Sequence, residues 1–283
     1  GIECSAFNSF RPVISTLQNN RDHRKIAVID GKTAFTGGVN LSDEYINVYE
    51  KHGHWKDCAI MLKGDAVNAF TLMFLQLWHT NNNTDEDFEP YLTSCSVTDK
   101  ENGFVQPYCD SPLDTENVSE HVYLQIINNA KKYVYINTPY FIVDEMMLSA
   151  LCLAAKSGVD VRIITPHRYD KFFVHFTTRS YYKQLIDAGV RIYEYTPGFI
   201  HAKNLVADDN VALVGTINMD YRSFFIHFEC GAWMCKSRAV TQIKEHFLSL
   251  LEQSEEIVLE EWKKRPVWTK IKQHVLAIFS PFM

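Results

Sequence analysis

His23-Arg24-Lys25-Ile26-Ala27-Val28-Ile29-Asp30-Gly31-Lys32-Thr33-Ala34-Phe35-Thr36-Gly37-Gly38-Val39-Asn40 returns, 178 residues later, as His201-Ala202-Lys203-Asn204-Leu205-Val206-Ala207-Asp208-Asp209-Asn210-Val211-Ala212-Leu213-Val214-Gly215-Thr216-Ile217-Asn218. Both copies set four residues between Lys and Asp and six between Asp and Gly. With each residue type filling roughly one position in twenty, five such fixed positions arise by chance on the order of once in ten thousand chains. Finding them twice marks an internal duplication. In each copy two apolar runs flank a turn, Asp30-Gly31 in the first and Asp208-Asp209-Asn210 in the second, which predicts a β-hairpin. A His and a Lys two apart on a strand share a face. Each copy therefore offers one imidazole and one ammonium to one volume, a pairing that suits a phosphate.

Outward from the second copy, helical and strand patterns alternate. A helix is expected over 120–132, a strand over 133–138, a helix capped by Asp144 and closed by Gly158, and a strand over 159–165. A helix capped by Asp170 then runs to 188 and a strand over 190–195 leads to the motif strand, 201–207. This is an α/β fold of mixed sheets flanked by helices. The first copy shows its counterpart only from the strand before its motif. From Glu120, 81 residues precede His201, whereas 22 precede His23. Residues 1–4 also read like residues 189–192 within the second repeat. The expectation is a chain of two lobes, 1–100 and 101–283, the first lacking roughly 60 upstream residues by repeat comparison. Its first residue would then be internal to a longer protein. The polar stretch 81–89 and Pro90, Pro107 and Pro112 lie at the lobe boundary.

Composition narrows the classes. Of 283 residues 46% are hydrophobic and 22% charged, the balance of a folded globular chain. Lys and Arg number 28 against 34 Asp and Glu, a net charge of -6. A nucleic-acid binder is usually more basic, so no nucleic-acid partner is expected. Seven cysteines form no C-x-x-C pair, which predicts reduced thiols in a cytosolic compartment. No apolar run reaches the roughly 18 to 20 residues of a membrane span.

The doubled H-x-K-x4-D-x6-G-x-x-N pattern resembles the phospholipase D superfamily, in which two half-sites close into one active site. The flanking segments Trp55-Lys56-Asp57, Thr138-Pro139-Tyr140-Phe141, Tyr193-Glu194-Tyr195-Thr196-Pro197-Gly198-Phe199 and Arg222-Ser223-Phe224-Phe225 through Glu229 resemble bacterial cardiolipin synthases within it. The likeness runs along the whole chain. It implies a fold of two pseudo-repeated lobes with the active site at their interface. The implied activity is phosphatidyl transfer between two phosphatidylglycerol molecules, giving cardiolipin and glycerol. The catalytic set would be His23, Lys25, Asp30, His201, Lys203 and Asp208. The resemblance also points to Asp57 and Glu229 as acids that orient the histidines, and it implies membrane-spanning helices upstream in the parent protein. The place of work would be the cell membrane, with the catalytic part on its cytoplasmic side.

A phosphodiester resists nucleophiles because its oxygens are anionic. Lys25 and Lys203 would hold those oxygens, with Asn40 and Asn218 adding amide donors. One histidine would attack phosphorus to give a phosphohistidine and the other, as imidazolium, would protonate the leaving oxygen. The resemblance makes His23 the nucleophile and His201 the acid, although the symmetry of the motifs allows the reverse. No step needs a metal or other cofactor. Water in place of a lipid alcohol would make the enzyme a phospholipase D or a nuclease, and a damaged site would leave an inactive lipid-binding fragment. Asp30 and Asp208, at hairpin turns, suit a structural role as well, because Asp caps its own turn. His52-x-His54 reads as a solvated loop rather than a metal pair, and Gly37-Gly38 as a backbone fit. Phe172-Phe173 and Tyr181-Tyr182 read as helix packing, some of them lining a lipid cleft. Residues 262–283 mix lysines with tryptophan and aliphatic residues, which suits a helix in the lipid headgroup region or one packed on the body.

Overall fold

The computed structural model describes residues 1–9, 16–94 and 103–278. The first repeat supplies β1 (Ile26–Ile29), β2 (Thr33–Gly37), β3 (His54–Lys56), β4 (Ala59–Lys63) and α1 (Ala66–Asn82). Next come β5 (Phe104–Asp110), α2 (Val118–Asn129), β6 (Tyr133–Asn137), β7 (Phe141–Ile142), α3 (Glu145–Lys156), β8 (Asp160–Pro166), α4 (Phe172–Asp187), β9 (Arg191–Tyr195) and β10 (Gly198–Ile200). The chain continues through β11 (Asn204–Ala207), β12 (Val211–Gly215), β13 (Met219–Asp220), α5 (Tyr221–Phe225), β14 (Glu229–Cys235), α6 (Arg238–Leu251), β15 (Ser254–Glu256), α7 (Leu259–Lys263) and α8 (Val267–Ile278).

An eight-stranded mixed sheet runs β15-β9-β8-β6-β11-β12-β14-β5. Its centre reads Val, Ile and Leu almost without interruption because both faces are covered. One face packs on α2, α3 and α4 through residues such as Ile136, Leu151 and Leu185. The other takes Val240, Ile243 and Phe247 of α6. A smaller sheet, β1-β2-β4, is backed by α1 and buries Ala34, Leu62 and Phe70 against Cys230 and Ala232 of β14. The two hairpins are equivalent: β1-β2 with β4 repeats β11-β12 with β14, all antiparallel.

Several expectations change. His23-x-Lys25 and His201-x-Lys203 precede β1 and β11 rather than lying on them. There each lysine ammonium turns back on its own histidine, Lys25 Nζ donating to the His23 carbonyl and Lys203 Nζ to that of His201, both at 2.5 Å. Residues 1–4 form no strand and pair with none of the described strands. Asp144 caps α3 by accepting from the Met147 N–H, but α4 begins at Phe172 and Asp170 instead accepts the Tyr140 hydroxyl. Tyr182 is buried in the core, whereas Phe172 and Phe173 are exposed. Helix α8 packs along α4 and leaves Val267, Trp268, Ile271, Val275 and Ile278 facing out. Six cysteines (4, 58, 109, 152, 230 and 235) are free thiols, and no helix among the described residues is long and apolar enough to cross a membrane.

Candidate active site

Short parallel pairings between the repeats set the two histidines. Strand β10 runs beside β3, Phe199 opposite Trp55, and the His201 N–H then donates to the Lys56 carbonyl at 2.7 Å. On the other side Asp22 bridges Phe228, and the His23 N–H donates to the Phe228 carbonyl at 3.0 Å. Each pairing ends one residue before an acid, so the contacts cross over. His201 Nδ1 meets Asp57 Oδ2 at 2.7 Å, and His23 Nδ1 meets Glu229 Oε1 at 2.9 Å. Each acid holds the histidine of the other repeat. An acceptor on Nδ1 fixes the tautomer and leaves Nε2 for chemistry.

Glycine makes this approach possible. A Cβ on Gly37 would stand 2.4 Å from the Cys58 carbonyl oxygen, and one on Gly215 would stand 2.5 Å from that of Cys230. Those carbonyls follow the two acids directly. At the next position the copies differ. A Cβ on Gly38 would stand 2.1 Å from Asp57 Oδ1, whereas Thr216 donates its hydroxyl to Glu229. A backbone fit accounts for the glycines, and a hydroxyl takes the space that one of them leaves open.

The cleft between the repeats measures about 690 Å³ and is lined by His23, Asn40, His201 and Asn218, with Tyr45, Trp55 and Tyr140 among its walls. Asn40 Nδ2 donates to the Tyr45 hydroxyl at 2.5 Å. The Trp55, Tyr45 and Phe199 rings lie 5.1, 5.2 and 6.1 Å from the His201 ring. Burial and the neighbouring Lys203 ammonium drive the His201 imidazole down to about 3, against which Asp57 pulls upward. Burial also lowers both lysines, Lys203 to about 7. Burial alone would raise the Glu229 carboxyl, but His23 and the Thr216 hydroxyl outweigh it and hold it below its usual range.

Asp30 and Asp208 lie outside this cleft. Both sit at hairpin turns with positive φ, 53° and 56°. Asp208 accepts the backbone N–H groups of Lys131, Lys132 and Tyr133. Five residues of extended chain put it about 16 Å from Lys203. His52 and His54 do not share a ligand: their Nδ1 atoms meet the Tyr169 carbonyl and the Tyr195 hydroxyl, each at 3.0 Å.

Sequence reasoning missed His227, Tyr45 and Asp220, all of which line the cleft. His227 Nδ1 lies 3.9 Å from Glu229 Oε1 and, buried, has no hydrogen-bond partner. It sits in the bend after α5, its N–H held by the Arg222 carbonyl at 2.8 Å, and no strand alternation in the sequence could place it there. Among the described residues His23, His227 and Glu229 form the one cluster whose donor atoms, all within 4.8 Å of one another, could hold a metal.

The family profile described as "Cardiolipin synthase, PLD-like domain" matches residues 123–251. The second repeat is thus similar to phospholipase D-like domains. It is 37% identical over its full length to a cardiolipin synthase of Alkalihalophilus pseudofirmus, covering 56% of that protein. It is 50% identical to an uncharacterized protein of Streptococcus mutans, covering 61% of it. The chain thus spans little more than half the length of these relatives. Among solved structures, the phosphatidylserine synthase of Haemophilus influenzae shares the fold, with a TM-score of 0.69 and 13% identity over 92% of this chain and 69% of that one.

Proposed function

We propose that this chain is the catalytic part of a cardiolipin synthase-like phosphatidyltransferase, working from residues 1–100 and 101–283 as two lobes. The observation that carries the reading is the pair of crossed histidine–carboxylate contacts opening on one cleft. Phosphatidylglycerol would bind with its phosphoryl oxygens against Lys25, Lys203, Asn40 and Asn218. One imidazole Nε2 would form a bond to phosphorus as the P–O bond to glycerol breaks, and the other imidazolium would give its proton to the departing glycerol oxygen. That second histidine would then take the proton of an incoming phosphatidylglycerol hydroxyl, whose oxygen displaces the histidine and yields cardiolipin.

The two histidines are not equivalent. Deep burial keeps His201 neutral at pH 7, as a nucleophile requires, whereas the His23 side chain is 26% exposed and faces a fully buried carboxylate. This favours His201 as nucleophile and His23 as acid, the reverse of the order the family resemblance implies. The work would be done at the cell membrane, on its cytoplasmic side, without nucleic acid.

Incubation with labelled phosphatidylglycerol tests the reading. Cardiolipin and glycerol in equal amounts are expected. Phosphatidate alone would assign transfer to water, and no product would leave a lipid-binding role. Phosphopeptide mapping of a quenched reaction should place the label on His201, and label on His23 would restore the family order.

A further inference from the structure

The mouth of the cleft carries large apolar side chains that the chemistry inside does not use. One bank is the loop after β2, through the 3-10 helix Asp43–Ile46 to Glu50. Asn47 clamps it, its side chain donating to the Trp55 carbonyl at 3.0 Å and accepting the Trp55 N–H at 2.6 Å. That clamp points Tyr45 inward over Trp55, their rings 4.6 Å apart. Leu41 is fully exposed, and Ile46, Val48 and Tyr49 are each 60% exposed or more. The other bank is the start of α4, where Phe172 and Phe173 stand exposed. The banks meet where His52 Nδ1 contacts the Tyr169 carbonyl, and Lys51, His52, Asp170 and Lys171 line the cleft between them. Lys51, Arg168 and Lys171 add exposed cations to this rim, against the exposed acids Asp43 and Glu50.

We infer that this rim docks on, and partly enters, a bilayer containing anionic phospholipid. The inference rests on the phosphatidyl-transfer reading. Removing a two-chain lipid from a bilayer costs about 0.8 kcal/mol for each CH2 exposed, far beyond what a headgroup site returns. The acyl chains must therefore stay in the membrane while the phosphate enters the cleft, which puts the mouth against the lipid surface. A rim of clustered aliphatic and aromatic side chains with neighbouring cations is the surface such contact needs. A solvent-facing mouth would carry scattered apolar residues instead. Capping by a protein would close the path that the substrate takes.

Vesicles of equal parts phosphatidylcholine and phosphatidylglycerol, a soluble diester, bis(4-nitrophenyl) phosphate, and two variants test this. The variant Leu41→Ser/Val48→Ser/Phe173→Ser should bind vesicles at least about tenfold more weakly than the wild type in flotation, because each change removes an exposed apolar anchor. It should hydrolyse the soluble diester at the wild-type rate. The single variant Leu41→Trp should gain a tryptophan signal that acyl chains brominated near the headgroup quench. Unchanged flotation of the triple variant, or an added tryptophan that vesicles do not quench, would overturn the inference. So would a shift of that tryptophan without lipid that grows with protein concentration, which would assign the rim to a second copy. If quenching occurs but the wild type turns over neither the soluble diester nor phosphatidylglycerol, the docking surface stands and the transferase reading falls.

Discussion

Lys203 gives the sharpest test of the site, because burial holds its ammonium near pH 7 rather than at the ordinary 10.5. A group with that midpoint is mostly charged at pH 6 and mostly neutral at pH 8. If its charge holds the phosphoryl oxygens, the affinity for an anionic diester should fall above pH 7, by about fivefold to pH 8 and then by about tenfold, or about 1.4 kcal/mol, per further unit. Between pH 7 and pH 9 the loss is about fiftyfold, because half of the ammonium is already neutral at pH 7. Dimethyl phosphate is the right ligand, since it remains a monoanion throughout and its own titration adds nothing. Lys25, also lowered by burial, should steepen the slope where its own proton leaves. Linkage supplies a second readout: the bound anion restores the ammonium, so binding at pH 8 should take up about 0.9 proton. Calorimetry in buffers of different ionisation enthalpy measures both. A dissociation constant flat from pH 6 to 9, with no proton uptake, would refute the argument.

The same burial makes Lys203 a burden on the fold. Its depressed midpoint means that the unfolded chain binds the extra proton between pH 7 and 10, so its contribution should make stability rise with pH across that window. Lys203→Met should unfold at a higher temperature at pH 7 while turnover is lost. Asp57→Asn and Glu229→Gln should each lower kcat about 10- to 150-fold by removing a charge-assisted hydrogen bond, with folding largely kept; near-normal kcat in either would contradict the orienting role. Asp208→Ala should cost about 1–2 kcal/mol in urea unfolding by freeing three backbone donors, and leave the chemical step alone. Turnover should survive EDTA, because every charge in the proposed steps is met by His or Lys; loss restored by a divalent ion would sink that mechanism.

The repeat, the hairpins and the two histidines could be read from the chain because each depends on local spacing. The strands 133–137 and 191–195 announced themselves through buried β-branched and aromatic runs. The cross-repeat pairing was not legible, since no local pattern says that Asp57 lies beside His201 and not His23. Periodicity also misplaced the motif onto strands: the apolar alternation of the hairpins runs into His-x-Lys without a break, and only a lysine turning to a backbone carbonyl marks the edge. Phe172 and Phe173 look like any helix-packing pair until the sheet beneath α4 is seen to be covered by Tyr182 and Leu185 instead.

The crossed acids also bear on ancestry. A half-length chain with one His-x-Lys motif and one downstream acid would have no finished site by itself, yet two copies about a two-fold axis would complete each other by exchanging acids. Joining such copies end to end would free each acid to match only the histidine opposite it. One half uses an aspartate seated against a glycine and the other a glutamate held by a threonine, so the two halves of one repeat-built site are two instruments that can be tuned apart.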